Sequence, residues 1–170
     1  MKAQRIQQSA TITIDAPIED VFPLFGPIRE KDWAGDWNPE IIYPKDTLVA
    51  KHMVFRTRGG LHGSEETYTW VIVNYEPADF MIEYMVSAHE RFWIITVQCK
   101  PSSDRTLAAI TYSYTGLSDQ GSKKNEIAIK EIFANKLKDW EEAINHYLHL
   151  PLTHNPQLTT HNPQLTTHNS

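Results

Sequence analysis

Residues 91–115 read RFWIITVQCKPSSDRTLAAITYSYT, and this stretch decides the fold. Arg91 to Lys100 and Arg105 to Thr115 are rich in β-branched and aromatic residues, and Pro101-Ser-Ser-Asp104 between them is a turn. A connection this short joins antiparallel strands, because a parallel crossover needs a dozen or more residues. Further out, Lys51 to Thr57, Glu65 to Tyr75 and Phe80 to Val86 carry the same signature, with Gly59-Gly60, Glu76-Pro77-Ala78-Asp79 and Ala88-His89 as separators. An antiparallel meander is expected. Trp70 with Ile72 and Val71 with Val73 are both apolar sets, so alternation leaves open which of them faces inward. It also leaves open whether a second subunit covers the outer face, as in a homodimer.

Upstream, Ala10, Ile12 and Ile14 alternate with Thr11 and Thr13, which predicts a strand over Ser9 to Asp15. Pro17 followed by Glu19 and Asp20 suits a helix start, and Val21, Phe22, Leu24 and Phe25 supply its apolar side. Gly26-Pro27 ends it, and a second short helix is expected over Ile28 to Asp32. The segment from Trp33 to Pro44 is rich in turn residues and closes in a short strand around Ile41 to Tyr43. Downstream of the meander, Gly116 to Ser122 turns the chain. Lys123 to Leu148 then places Ile129, Ile132, Phe133, Leu137, Trp140, Ala143, Ile144 and Tyr147 at spacings of three and four. One amphipathic helix is expected there, ~39 Å long at about 1.5 Å per residue. Residues 1–150 read as a single domain. Residues 151–170 form a low-complexity tail in which Pro-Gln-Leu-Thr-Thr-His-Asn recurs without apolar periodicity.

The chain has 170 residues, 41% hydrophobic and 22% charged, which suits one globular domain with its own core. Sixteen Lys and Arg against twenty-one Asp and Glu give a net charge of -5, which argues against nucleic acid or an anionic membrane surface as partner. The single cysteine, Cys99, excludes an internal disulfide and a Cys-rich zinc site. No apolar run is long enough to insert into a bilayer, and the N-terminal residues lack the apolar stretch of a signal peptide, so a cytoplasmic location is expected.

A strand, two small helices, six further strands and a long C-terminal helix follow the order of a helix-grip fold. In that α+β architecture a seven-stranded curved antiparallel sheet wraps the last helix. The chain resembles the SRPBCC superfamily, which includes START lipid-transfer domains, the birch-pollen allergen class, polyketide cyclases and activators of a chaperone ATPase. Within that superfamily it is similar to short bacterial members. The resemblance rests on Asp20 to Phe25, on Trp33-Ala-Gly-Asp-Trp37-Asn-Pro39-Glu40, on Tyr114 to Ser118 and on Trp140 to Leu148. It implies a cavity between sheet and helix for an apolar or amphipathic small molecule, and no single chemistry.

The candidate ligand-binding residues are Trp37, Trp70, Tyr84, Trp93, Tyr112, Tyr114, Phe133 and Trp140, which line a cavity or, on the alternative reading, pack the core. Trp33 and Trp37 with Pro39 form either a lid over the pocket or a plug that anchors their loop. His62 with Glu66, in the glycine-rich hairpin, and Glu126, in the first turns of the long helix, are the candidates for acid–base chemistry. Their ordinary reading is solvated hairpin ends and a helix-start carboxylate. His154, His161 and His168 are too far apart to share one ion without looping back, and His146 with His149 lacks a carboxylate or thiolate partner, so no metal is expected. Cys99 has no base beside it, and no phosphate- or dinucleotide-binding glycine pattern occurs, so no cofactor is expected. The function expected is non-catalytic binding of a small hydrophobic or amphipathic molecule, as carrier or sensor. A cyclase/dehydratase-type enzyme and a protein-interaction module are the alternatives.

Overall fold

The alternating segments become seven strands in the computed structural model, which describes residues 4–46, 48–59 and 65–151. They are β1 (Gln4–Ile14), β2 (Glu40–Tyr43), β3 (Val54–Gly59), β4 (Glu66–Glu76), β5 (Met81–Ala88), β6 (Arg91–Ser102) and β7 (Arg105–Gly116). All pair antiparallel in one sheet of order β1-β7-β6-β5-β4-β3-β2. The first strand therefore pairs with the last, Gln4 opposite Gly116 and Ile14 opposite Thr106. β1 starts ahead of its apolar alternation because β7 runs on to Gly116 and offers backbone partners to the polar stretch Gln4 to Gln8.

Register decides the face that alternation left open. Ile72 and Trp70 lie opposite Tyr84 and Val86, and Ile72, Tyr84 and Val86 are buried. Val71 belongs to the outer face, in a row with Val54, Met85 and Ile94 that stays half-buried. A register shift between Ile72 and Asn74 inserts one extra residue, so Tyr75 returns to the inner face and stacks on Phe22 at 6.2 Å between ring centroids.

After β1 the chain makes α1 (Ile18–Val21), which Pro17 opens, and runs directly into a 3₁₀ turn at Phe22–Phe25. A second 3₁₀ turn follows at Glu30–Asp32, where the second short helix is expected. Phe22, Leu24 and Phe25 are buried and close one end of the curved sheet.

The C-terminal helical segment departs from the sequence expectation. It is not one helix but two, α2 (Asp119–Ile132) and α3 (Lys138–Leu148). Lys136 and Leu137 take left-handed backbone angles, φ 56° and 62°, which end the α-helical hydrogen-bond ladder. Leu137 is fully buried at the break, and Phe133 and Ile144 on either side of it are buried as well. The three-and-four spacing survives the break, which is why periodicity does not reveal it. The ~39 Å rod is replaced by segments of about 21 Å and 16 Å.

Both helices are fastened to the sheet by particular residues. Ser118 caps α2 by accepting from the Gly121 N–H at 3.0 Å. A Cβ on Gly121 would lie 1.9 Å from the Glu90 carbonyl oxygen, so glycine alone lets α2 approach the β5–β6 turn. α3 completes the open edge of β1. The Thr13 N–H donates to Glu141 and the Asp15 N–H to Asn145 Oδ1, each at 2.8 Å, and Asn145 Nδ2 donates to the Thr13 carbonyl at 3.2 Å. The tail beyond Pro151 and its histidines lie outside the described residues.

Candidate ligand-binding site

The inner face of a curved sheet brings alternate residues of neighbouring strands together. Tyr68 and Trp70 of β4, Arg91 and Trp93 of β6, and Tyr112 and Tyr114 of β7 converge this way. With Ala128, Glu131 and Ile132 of α2 they line a pocket of about 180 Å³ that opens to solvent. The rings form a continuous wall. Tyr68 meets Trp93 edge-on at 5.2 Å, Trp93 lies 5.2 Å from Tyr114, and Tyr114 stacks with Tyr112 at 5.9 Å.

The eight expected aromatic residues thus separate into three groups. Trp70, Trp93, Tyr112 and Tyr114 line this pocket. Trp37 and Trp140 line a different crevice of about 360 Å³, between the segment around Trp33 to Trp37 and α3. Tyr84 and Phe133 are packed in the core. The Tyr84 hydroxyl donates to the Phe25 carbonyl at 2.6 Å, and Phe133 meets Tyr112 edge-on at 5.7 Å.

Trp33 and Trp37 have the contacts of an anchored loop. Their indole N–H groups donate to the Leu24 carbonyl at 2.8 Å and the Pro27 carbonyl at 2.7 Å. Trp37 also meets Trp70 and Phe55 edge-on, at 5.3 and 5.9 Å. A more polar crevice of about 560 Å³ lies between Trp37 and β3 and shares Tyr68 and Trp70 with the inner pocket, so these two side chains form the partition.

Of the acid–base candidates, His62 lies outside the described residues. Glu66 is engaged: Oε2 accepts from Arg91 and Oε1 from Lys124, both at 2.9 Å. Burial pushes the Glu66 carboxyl upward, but the bonds from Lys124 and Arg91 more than offset it and hold the group below the usual carboxylate range. Glu126 is exposed on α2 and accepts from Gln4 at 3.3 Å. Cys99 is buried, and desolvation pushes its thiol up to about 12. No group of three potential metal ligands converges among the described residues.

Two functional groups escape sequence reasoning. Arg91 is 1% exposed on the pocket wall, with its guanidinium 4.9 Å from the Trp93 ring centroid and 5.8 Å from that of Tyr68. Its signal was the alternation itself, since Arg91 shares the inward period of Trp93, Ile95 and Val97. Glu30 is the second. The residue is only half-buried, yet desolvation pushes its carboxyl up to about 8, and it acts electrostatically on the buried hydroxyls of Tyr84 and Tyr112. A single turn of 3₁₀ helix has no period from which that orientation could be read.

The curved sheet gripping its C-terminal helices over an aromatic-lined pocket is a helix-grip fold of the SRPBCC type. Solved structures of this type match over most of the chain. Norcoclaurine synthase from Thalictrum flavum, in complex with dopamine and hydroxybenzaldehyde, superposes with a TM-score of 0.61 at 12% identity, over 88% of this chain and 90% of that one. Ginseng major latex-like protein 151 from Panax ginseng gives 0.63 at 15% identity, over 86% and 99%. The Zhui aromatase/cyclase from Streptomyces sp. R1128 gives 0.57 at 16% identity, over 86% and 91%. No protein-family model and no curated protein matches the chain.

Proposed function

We propose that this protein binds a small hydrophobic or amphipathic molecule carrying an aromatic ring, as a carrier or sensor, in the pocket between the inner sheet face and α2. The observation that carries this reading is the lining, in which Trp70, Trp93, Tyr112 and Tyr114 face Ala128 and Ile132 across about 180 Å³. Ligand sites are mostly apolar with a few placed polar groups, and a dry cavity of ~150 Å³ holds benzene. The dopamine and hydroxybenzaldehyde in norcoclaurine synthase and the aromatase/cyclase neighbour support a ring-bearing ligand. Among the described residues, the exposed large apolar side chains are Tyr43, Leu48, Leu107, Leu117 and Ile127. No helix there is long and apolar enough to cross a membrane.

Native mass spectrometry of the purified protein, with extraction of whatever co-purifies, tests the reading. One retained ring-bearing molecule per chain is expected. An empty protein that also shows no thermal shift with an apolar library overturns it.

One observation favours a second reading, an enzyme of the cyclase/dehydratase type: the half-buried carboxyl of Glu30, which desolvation raises and which couples electrostatically to Tyr84 and Tyr112. It predicts that a recovered ligand loses the mass of one water when incubated with the native chain and not with Glu30→Gln. An unchanged mass leaves binding as the function.

A further inference from the structure

A second site lies apart from the inner pocket. Trp33, Trp37 and Trp140, three of the five tryptophans in the chain, line the crevice of about 360 Å³ beside α3. Trp33 and Trp140 meet at 5.6 Å between ring centroids with a tilt of 55°, so their planes form an angled corner. The N–H groups of Trp33 and Trp37 are engaged by the Leu24 and Pro27 carbonyls, which fixes both rings and leaves carbon and π surface for the crevice. Trp140 is carried by the first turn of α3, which Glu141 and Asn145 fasten to β1. All three rings are half-buried, so the fold holds them and solvent still reaches them.

The charge around these rings has one sign. The charged lining residues are Asp36 and Asp139, both exposed, and neither forms an ion pair or side-chain hydrogen bond among the described residues. Lys138, next to Asp139 in the chain, is bonded to Glu141 instead. Among the described residues no Lys or Arg lines the crevice. The net charge of -5 acts in the same direction. A cation beside an indole face is attracted by the ring quadrupole, and a nearby carboxylate adds to that attraction. A primary ammonium holds its hydration shell tightly, whereas a fully methylated one presents apolar methyl groups to the rings.

We propose that this crevice binds the quaternary ammonium group of a small soluble molecule, with its methyl groups in the corner of Trp33 and Trp140 and its charge toward Asp36 and Asp139. A phosphocholine group is disfavoured, because its phosphate would lie among carboxylates with no lining cation to meet it.

The test is titration of the full chain, at neutral pH and low salt, with choline and with 3,3-dimethylbutan-1-ol, its uncharged carbon isostere, followed on the five indole N–H signals by two-dimensional NMR. Choline is expected to move the Trp33 and Trp140 signals saturably, to leave that of Trp93 in the inner pocket in place, and to bind about fivefold or more tighter than the alcohol. Asp36→Asn combined with Asp139→Asn, both at exposed positions, should shrink this preference about twofold or more. Phosphocholine should bind the native chain more weakly than choline. The proposal is overturned by choline shifts absent from Trp33 and Trp140, by equal binding of choline and the alcohol, by a preference unmoved in the double variant, or by phosphocholine binding as tightly as choline.

Discussion

Arg91 and Glu66 meet at 2.9 Å across two strands that are not neighbours in the sheet, since β5 lies between β4 and β6. β5 ends at Ala88 opposite Arg91, and its pairing with β4 starts only at Ser87 with Thr69, so the two side chains meet beyond the end of β5, and Lys124 of α2 reaches the same carboxylate from the helical side. The ion pair therefore links sheet to helix at the pocket wall.

Removing Glu66 leaves a buried guanidinium without its counter-charge. Glu66→Gln is expected to lower the unfolding free energy by about 3 kcal/mol, the range for breaking one partner of a buried pair. Urea denaturation checks this, and a change within about 0.5 kcal/mol, typical of surface substitutions, would show that the pair does not hold the wall. Because the Glu66 carboxyl is held below its ordinary value, its contribution is present above that value and disappears as the pH falls through the depressed one.

Glu30 works in the opposite direction. Its carboxyl is raised from 4.5 to about 8, so between these values the folded chain holds a proton that the unfolded chain has released. Stability contributed by this group is therefore complete below pH 4.5 and is lost as the pH rises toward 8. Glu30→Gln should remove that decline and stabilise the protein at pH 8 and above, by an amount on the order of a few kcal/mol. Melting curves of both chains across this range decide it: parallel pH profiles would mean that the carboxyl is solvated.

Asn145 substitutes for a missing strand partner at the edge of β1. Its side-chain amide both accepts from Asp15 and donates to Thr13. Asn145→Ala leaves the part-buried Thr13 carbonyl without its donor and returns the exposed Asp15 N–H to water, and should cost about 1 kcal/mol. Faster amide exchange at Asp15, with the far strands unaffected, is the local signature to measure; unchanged exchange would show that the clamp is not made in solution.

Gly121→Ala tests the closest approach of helix to sheet. With a Cβ 1.9 Å from the Glu90 carbonyl oxygen, α2 has to withdraw, and the backbone atom it would strike cannot turn aside. A loss of about 3 kcal/mol or more is expected, at the upper end of overpacking effects. A melting temperature equal to that of the native chain would contradict this packing.

Much of the fold follows from local pattern. Seven strands, their antiparallel order along the meander, the short helices after β1 and a helical C-terminus all rest on residues within a few positions of one another. Their spacing against a period of two or of 3.6, with turn residues between, is enough to read them. The helix-grip resemblance rested on the same order of elements together with the segment from Trp33 to Glu40.

The tertiary structure decided the rest, for three physical reasons. Strand register assigned Trp70 and Ile72 to the inner face, because in a strand apolar on both sides only its neighbours distinguish inside from outside. The left-handed angles at Lys136 and Leu137 divided the C-terminal helix, and a break that preserves side-chain spacing leaves no trace in periodicity. The site itself is an assembly of distant residues: Glu66 is separated from Arg91 by 25 positions and from Lys124 by 58. An ion pair across such separations exists only once a curved sheet and a docked helix exclude water around it, so its place on the pocket wall is a property of the fold and not of any one segment.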